Sequence, residues 1–366
     1  MVEALLPIRL VELLRRVDAH FSVRGELTLG PVTFFGARGA SDDRELLLHL
    51  MHERWPTMAP ELVPFAVDAV GNRFCLVCSR IAQDPETLPV VYWMYETSVA
   101  VPVATCFDRF LDWIGLAAEI VVRRGADDAL NTRHLREVVI PELKLLGVER
   151  DFFSLTTSPV SPVGSLHLGM LRVDPNAAGS RLVAAHRAQG DGRSKDAILH
   201  ARASLKSFPE FLSAAWFLVS FPNASSRVIG YRKLVSSLPD LLFCYRGDAL
   251  MPEFVDVPAP TFREVFDCVA AIADPAEAEE DPVLSMIVYD DAESADNWLT
   301  ASIELANFGK MDRANVAALN AFHIATTALA RNHALLVLEE LYEATGSAWL
   351  LEVTRFELAR CMEDPA

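Results

Sequence analysis

Nowhere in this chain do about 18 apolar residues follow one another without interruption, so no membrane-crossing helix is expected. Cationic charge is scarce. Lys and Arg total 33 against 50 Asp and Glu, a formal net charge of −17, and such a surface repels nucleic-acid phosphates. Catalytic spacings are missing as well: the chain holds no G-x-S-x-G, H-E-x-x-H, Walker loop or G-x-G-x-x-G. His49, His52 and Glu53 share a helical segment but lack a further ligand motif, and Asp290-Asp291, being adjacent, diverge on either a helix or a strand. No catalytic, cofactor or metal site is therefore expected, and the chain reads as a non-enzyme.

The six cysteines (Cys75, Cys78, Cys106, Cys244, Cys268, Cys361) are scattered through apolar segments, the pattern of reduced, buried thiols in a cytoplasmic protein. Cys75 and Cys78 form a C-x-x-C. A zinc site needs a second ligand pair, and a thioredoxin-like site needs a helix start. RFCLVCSR reads instead as a strand, which makes the two thiols inert. The opening MVEALLPIRLVELLRRVDAHF alternates apolar and charged residues at helical spacing and has no continuous signal-peptide core.

What is present suggests two units, because 366 residues exceed the roughly 100–200 of one ordinary domain. Residues 1–22 read as a helix, and GELTLGPVTFFG (25–36) as a strand or short hairpin. SDDRELLLHLMHERW begins a second helix with Ser41 or Asp42 as N-cap and stops near Pro56. ELVPFAVDAVGNRFCLVCSR gives two extended runs joined at Gly71-Asn72, both able to supply positive φ at a hairpin turn. PVVYWMYETSVAVPVA (89–104) reads as one or two strands, with Phe74, Leu76, Tyr92 and Trp93 in one layer. FDRFLDWIGLAAEIVVRR then closes the unit as an amphipathic helix.

From about residue 126 the pattern changes to helices separated by Pro- and Gly-containing turns, with a Ser/Thr/Pro loop at 152–165. The expected architecture is an α+β domain over 1–125, an antiparallel sheet with helices, followed by an all-α helical-hairpin domain over 126–366. Around 166–220 the chain is tetratricopeptide-like. Pro175 and Pro209 lie 34 residues apart, small Ala197, Ala201 and Ser204 line the second helix, and Trp216 follows. True repeats and an irregular helical bundle both remain open at this level.

The succession Val63-Pro64-Phe65-Ala66-Val67-Asp68, then Gly71-Asn72-Arg73-Phe74-Cys75-Leu76, then Val90-Val91-Tyr92-Trp93, then Thr105-Cys106-Phe107-Asp108-Arg109-Phe110-Leu111 resembles the SUKH (SMI1/KNR4) superfamily in order and spacing. The usual Leu-Pro-x-x-Tyr-x-x-Phe-Leu helix is replaced here by RELLLHLMHERWPTMAPE, so the first half of the domain is remodelled. The resemblance implies a binding role: bacterial members resemble immunity proteins that neutralise toxins, and fungal relatives are cell-wall signalling regulators. Each motif residue is also explicable as scaffold.

Residues 251–300 carry thirteen acidic side chains against Arg263 alone, a net −12 of the chain's −17. Asp274, Glu277, Glu279, Glu280 and Asp281 occupy DPAEAEEDP, an exposed loop or short helical turn. Asp290, Asp291, Glu293 and Asp296 occupy DDAESADNW, and VLSMIVY (283–289) between them reads as a β-like anchor. Such a face either aids solubility or docks a basic partner. A cognate toxin or effector protein with a basic surface is the expected partner, since an acidic inhibitor mimics the phosphates that a nuclease toxin grips. A regulatory scaffold recruiting peptides to its helical array is the alternative.

Overall fold

A computed structural model describes residues 5–20, 27–78, 84–124, 129–148, 162–221, 224–236, 241–243 and 261–363. The chain starts with helix α1 (Ile8–His20) and the hairpin β1 (Leu27–Leu29) and β2 (Val32–Phe34). Gly30 turns this hairpin at φ +62, and a Cβ there would lie 2.9 Å from Ala118 Cβ, so both conformation and space demand glycine. Helix α2 (Asp43–Met51) is capped as expected: Asp42 accepts from the Glu45 N–H at 2.8 Å, and Glu45 in turn accepts from the Ser41 N–H and hydroxyl.

β3 (Leu62–Val67), β4 (Arg73–Val77), β5 (Val90–Met94) and β6 (Val99–Ala104) complete a six-stranded antiparallel sheet in the order β1-β2-β3-β4-β5-β6. Sequence order equals spatial order: β1–β2, β3–β4 and β5–β6 are joined by short turns, while α2 lies in the connection from β2 to β3. Gly71 adopts φ +101 at the β3–β4 turn, whereas Asn72 keeps ordinary backbone angles and contributes its side chain instead. PVVYWMYETSVAVPVA forms two strands, turning at Ser98 (φ +51).

Helix α3 (Phe107–Arg124) packs its aromatic stripe on one sheet face. Phe65 meets Phe107 and Phe110, while Phe74 meets Tyr92, Phe110 and Trp113, all with ring centres 5.1–5.6 Å apart. The single layer expected for Phe74, Leu76, Tyr92 and Trp93 is corrected in one respect. Phe74 pairs with Tyr92, but Trp93 pairs with Arg73, and consecutive strand residues face opposite ways, so Trp93 belongs to the other face.

Every later described element is helical. α4 (Ala129–His134) passes through a π-turn (Leu135–Val139) into α5 (Ile140–Leu145). α6 (Pro162–Val173), α7 (Ala178–Gly190), α8 (Ser194–Ser207), α9 (Leu212–Ser220) and α10 (Ala224–Ser236) follow. Residues 152–161 of the expected loop lie outside the described residues, and 162–165 already belong to α6. Helix α7 packs on α8 and α9 on α10. Ala197, Ala201 and Ser204 are buried in the first pair, where Ser204 donates to the Ala178 carbonyl at 2.8 Å.

α11 (Phe262–Ile272), α12 (Pro275–Glu280), α13 (Pro282–Tyr289), α14 (Ala295–Asn307), α15 (Met311–Ile324), α16 (Ala328–Thr345) and α17 (Ala348–Glu363) complete the chain, with α14–α15, α15–α16 and α16–α17 packed in succession. The expected β-like segment 283–289 is helix α13. Pro282 stands at its first turn, Asp281 caps it, and Val283, Leu284 and Met286 bury one face. A seven-residue apolar run suits strand or helix alike, and here the start signals decide.

The sheet and the helices share one apolar cluster running from Leu6 to Leu350. On the outer edge, the Ala100 N–H donates to the Leu242 carbonyl at 2.8 Å and the Thr105 N–H to Asp174 at 2.9 Å, while Pro102 has no N–H to satisfy. The β6 edge is thereby closed against further strand pairing.

Candidate partner-binding site

The nine acidic residues of the 274–296 segment fall into two groups at opposite ends of α13. Eight residues at 1.5 Å each make that helix about 12 Å long. Asp274, Glu277, Glu279 and Glu280 are exposed on and before α12, Asp290, Asp291 and Glu293 are exposed between α13 and α14, and Asp296 is exposed in the first turn of α14. Their backbone is well held. Asp274 caps α12 by accepting from the Ala276 N–H at 2.9 Å, and Asp291 accepts from the Glu293 N–H at 3.0 Å. At the head of α11, Thr261 and Glu264 form a reciprocal capping box, whose hydrogen bonds hold the Glu264 carboxyl below its ordinary range.

Asp281 differs from its neighbours. It is half-buried, accepts from the Val283 and Leu284 N–H groups at 3.1 and 3.2 Å, and binds Arg313 through both carboxylate oxygens. Arg313 also reaches the Val235 carbonyl at 3.2 Å, tying α13 and α15 to α10. Among the eight exposed acids, Glu293 lies 3.8 Å from Arg263, and the other seven have no ion pair among the described residues. At a physiological screening length of about 8 Å, groups roughly 12 Å apart act as two patches, so one partner must span both to feel the whole charge.

The hairpin residues singled out by their succession in the chain form a buried polar network. One Asp68 oxygen accepts from the Val70 and Asn72 N–H groups at 2.9 and 3.0 Å, and the other accepts from the Tyr92 hydroxyl at 2.6 Å and the Asn72 amide at 3.1 Å. The Asn72 oxygen then accepts from the Tyr95 N–H at 3.2 Å. The network spends these groups on each other, fixing the β3–β4 and β5–β6 turns together. Cys75 and Cys78 are buried as well: burial pushes the Cys75 thiol up strongly and the Cys78 thiol up to about 12, which leaves both as unreactive thiols near neutral pH.

Among the described residues, no group of His, Cys, Asp or Glu side chains is placed to hold a metal ion. His52 packs edge-on against Phe356 at 5.1 Å, and Glu53 is engaged by Arg38. His167 and His186 are pushed down by burial to about 3 and about 4, and His167 Nδ1 lies 3.0 Å from the Ser180 hydroxyl. Both are neutral at physiological pH.

One cluster escaped the sequence reading. Trp55 and Tyr95 stack at 5.9 Å, with planes 21° apart, at the end of the sheet that carries Gly71. Arg73 holds its guanidinium 5.5 Å from the Phe35 ring centre and 5.9 Å from that of Trp55, and donates to the Gly71 and Glu53 carbonyls at 2.9 and 3.2 Å. Trp55 lies beyond the end of α2 and Tyr95 beyond the end of β5. The sequence reads Trp55 as the end of a helix and Tyr95 as part of a strand run, and the meeting of two residues 40 apart leaves no local signal.

Compared with known proteins, the chain has no match among curated proteins and none among solved structures. A match to a family model covers the meander and the first turns of its closing helix: residues 3–113, the N-terminal third of the chain, match the model of the SMI1 / KNR4 family (SUKH-1).

Proposed function

We propose that this chain is an immunity-type binding protein that neutralises a cognate bacterial toxin by direct contact in the cytoplasm, and that it is not an enzyme. Residues 1–125 would form the family-like unit and 126–366 the helical unit. The reading is supported by the family match of the N-terminal third, whose members the resemblance associates with protein binding. The observation that carries the partner's chemistry is the set of seven exposed carboxylates (Asp274, Glu277, Glu279, Glu280, Asp290, Asp291 and Asp296) held on helix termini with no ion pair among the described residues. Charge carried on a well-held backbone and left unpaired attracts a basic surface. Asp281 belongs to the same segment but is spent on Arg313, so it supports the patch rather than facing a partner.

The test is protection of cells. A toxin encoded beside this chain is expressed in a sensitive host with the wild-type protein or with Glu277, Glu279, Glu280, Asp290, Asp291 and Glu293 changed to Gln or Asn. Protection by the wild type and its loss in the variant are expected; no protection by either sinks the immunity reading. A scaffold role draws its support from Ile303, Phe308, Leu329 and Leu336, large apolar side chains exposed on or just after α14 and on α16. Partner capture that persists at high salt and in the charge variant favours that alternative.

A further inference from the structure

We infer that Trp55, Tyr95 and Glu96 form a receptor for an arginine side chain presented by a protein partner, at the opposite kind of surface from the acidic helices: aromatic, preorganised and carrying one available carboxylate. The partner's protein nature rests on the function proposed above; the preference for arginine rests on the geometry alone.

Three large apolar side chains are exposed at this end of the sheet, Val70 at 56%, Trp55 at 42% and Tyr95 at 40%. Exposed tryptophan is uncommon in a surface that only needs to be soluble. These rings are also ordered before any partner arrives. The Tyr95 N–H is bonded to Asn72, the Trp55 N–H meets the Met58 sulfur at 3.3 Å, and the rings stack on each other. Holding them in place is what the buried Asp68–Asn72–Tyr92 network accomplishes at the surface. Ordered aromatic groups bind with little further loss of rotamer freedom.

The charge around the platform selects the ligand. Arg38 is paired with Glu53, and Arg73 is tucked under the rings with its charge spread over two backbone carbonyls. Asp68 is consumed by its own network. Glu96 remains: it is exposed, accepts from the Tyr95 hydroxyl at 3.1 Å, and has no cationic partner among the described residues. A carboxylate beside an aromatic face suits a guanidinium, which stacks through its plane and forks its N–H groups onto the oxygens. Arg73 is the internal precedent, since the same cluster already holds one guanidinium against Trp55 and Phe35 on its inner side.

The probe is the tripeptide acetyl-Gly-Arg-Gly-amide, with its neutral isostere acetyl-Gly-citrulline-Gly-amide as control, titrated into the full chain labelled with 5-fluorotryptophan. The six tryptophans give six fluorine resonances, and Trp55→Phe identifies the one at the platform. The arginine peptide is expected to move the Trp55 resonance saturably and to bind roughly two- to fivefold more tightly than the citrulline peptide, the usual range for an exposed cation–aromatic contact. Glu96→Gln reduces that preference while the other five resonances stay in place. Equal binding of the two peptides, a preference that Glu96→Gln leaves unchanged, or shifts spread evenly over all tryptophans overturns the proposal. Because the probe contains no toxin, failure here leaves the cell-protection result standing, and failure of protection leaves this result standing.

Discussion

Arg54 and Glu357, 303 residues apart in the chain, form an ion pair of 2.6 Å with both side chains almost wholly buried. Arg54 completes its bonding with the carbonyls of Met58, Ala59 and Leu62, and Arg360 reaches both Glu357, at 3.1 Å, and the Arg54 carbonyl, at 3.2 Å. Together with Arg44–Glu352 at 2.7 Å and His52 on Phe356, this joins the last helix, α17, to α2 and the loop that follows it. The C-terminal helix is thereby anchored on the N-terminal part of the chain.

A buried pair contributes little net stability but is costly to break from one side, because the surviving charge has nowhere to go. Glu357→Ala should destabilise the protein by about 3–5 kcal/mol in urea denaturation. The Arg54→Met/Glu357→Leu double replacement should recover only part of this, since three loop carbonyls lose their donor. A loss under about 1 kcal/mol in the single variant would show that α17 does not hold the domain closed.

Gly179, in α7, passes so close to β6 that a Cβ would lie 2.3 Å from the Pro102 carbonyl oxygen. Inside a helix alanine is normally favoured over glycine by about 1 kcal/mol, yet Gly179→Ala should cost roughly 1–3 kcal/mol through displacement of the sheet edge. Gly190→Ala in the same helix meets nothing within 4 Å and should be neutral or stabilising by up to about 1 kcal/mol. Equal thermal melts for the two variants contradict the close approach.

Much of this was legible in the sequence. The meander reads from period-two runs cut by Gly30, by Asp68 to Asn72 and by the segment before Val99, and α2 from its Ser41/Asp42–Glu45 cap. The helices of the second part read from three-to-four spacing. Failures came where local signals conflict or end. VLSMIVY is strand-like in composition, but Asp281 and Pro282 start a helix, and Trp93 faces away from its neighbour Tyr92 because alternation outranks aromatic kinship. The α17 docking left no trace at all: an arginine and a glutamate three hundred residues apart carry no local periodicity. The meeting of Trp55 with Tyr95, 40 residues apart, is silent in the sequence for the same reason.

Within the acidic segment, structure separates supporting residues from available ones. Asp281→Ala removes a helix cap and strips Arg313 of its bidentate partner, so it should cost about 2–3 kcal/mol. Glu279 and Glu280 are exposed and make no hydrogen bond or ion pair among the described residues, so Glu279→Gln and Glu280→Gln should stay within about 0.5 kcal/mol of wild type. Denaturation curves for the three variants check the division. A destabilising Glu279 or Glu280 replacement would mean that these carboxylates serve the fold and are not free for a partner.

Acid should unfold the helical part through its buried histidines. His167 on α6 and His186 on α7 have their protonation pushed down by burial to about 3 and about 4, Arg187 adding to the effect at His167. In the unfolded chain both return to about 6.5. A lowered folded value means that the unfolded state binds more protons at intermediate pH. The stability these neutral rings represent is thus fully present above about pH 6.5 and is lost as pH falls toward 4 and then 3. Between pH 7.5 and 5.0 each histidine should remove on the order of 2 kcal/mol, somewhat less for His186, whose side chain is partly exposed. Relief of repulsion among the surface acids works in the opposite direction, so the informative quantity is a difference between proteins. His167→Gln keeps a polar group beside the Ser180 hydroxyl but cannot titrate. Its stability should fall by about 2 kcal/mol less than that of wild type over the same interval, measured by urea denaturation at the two pH values. Parallel losses in both proteins would mean that His167 takes up its proton in the folded state, and that its site is more open to water than the packing of α6 against α7 implies.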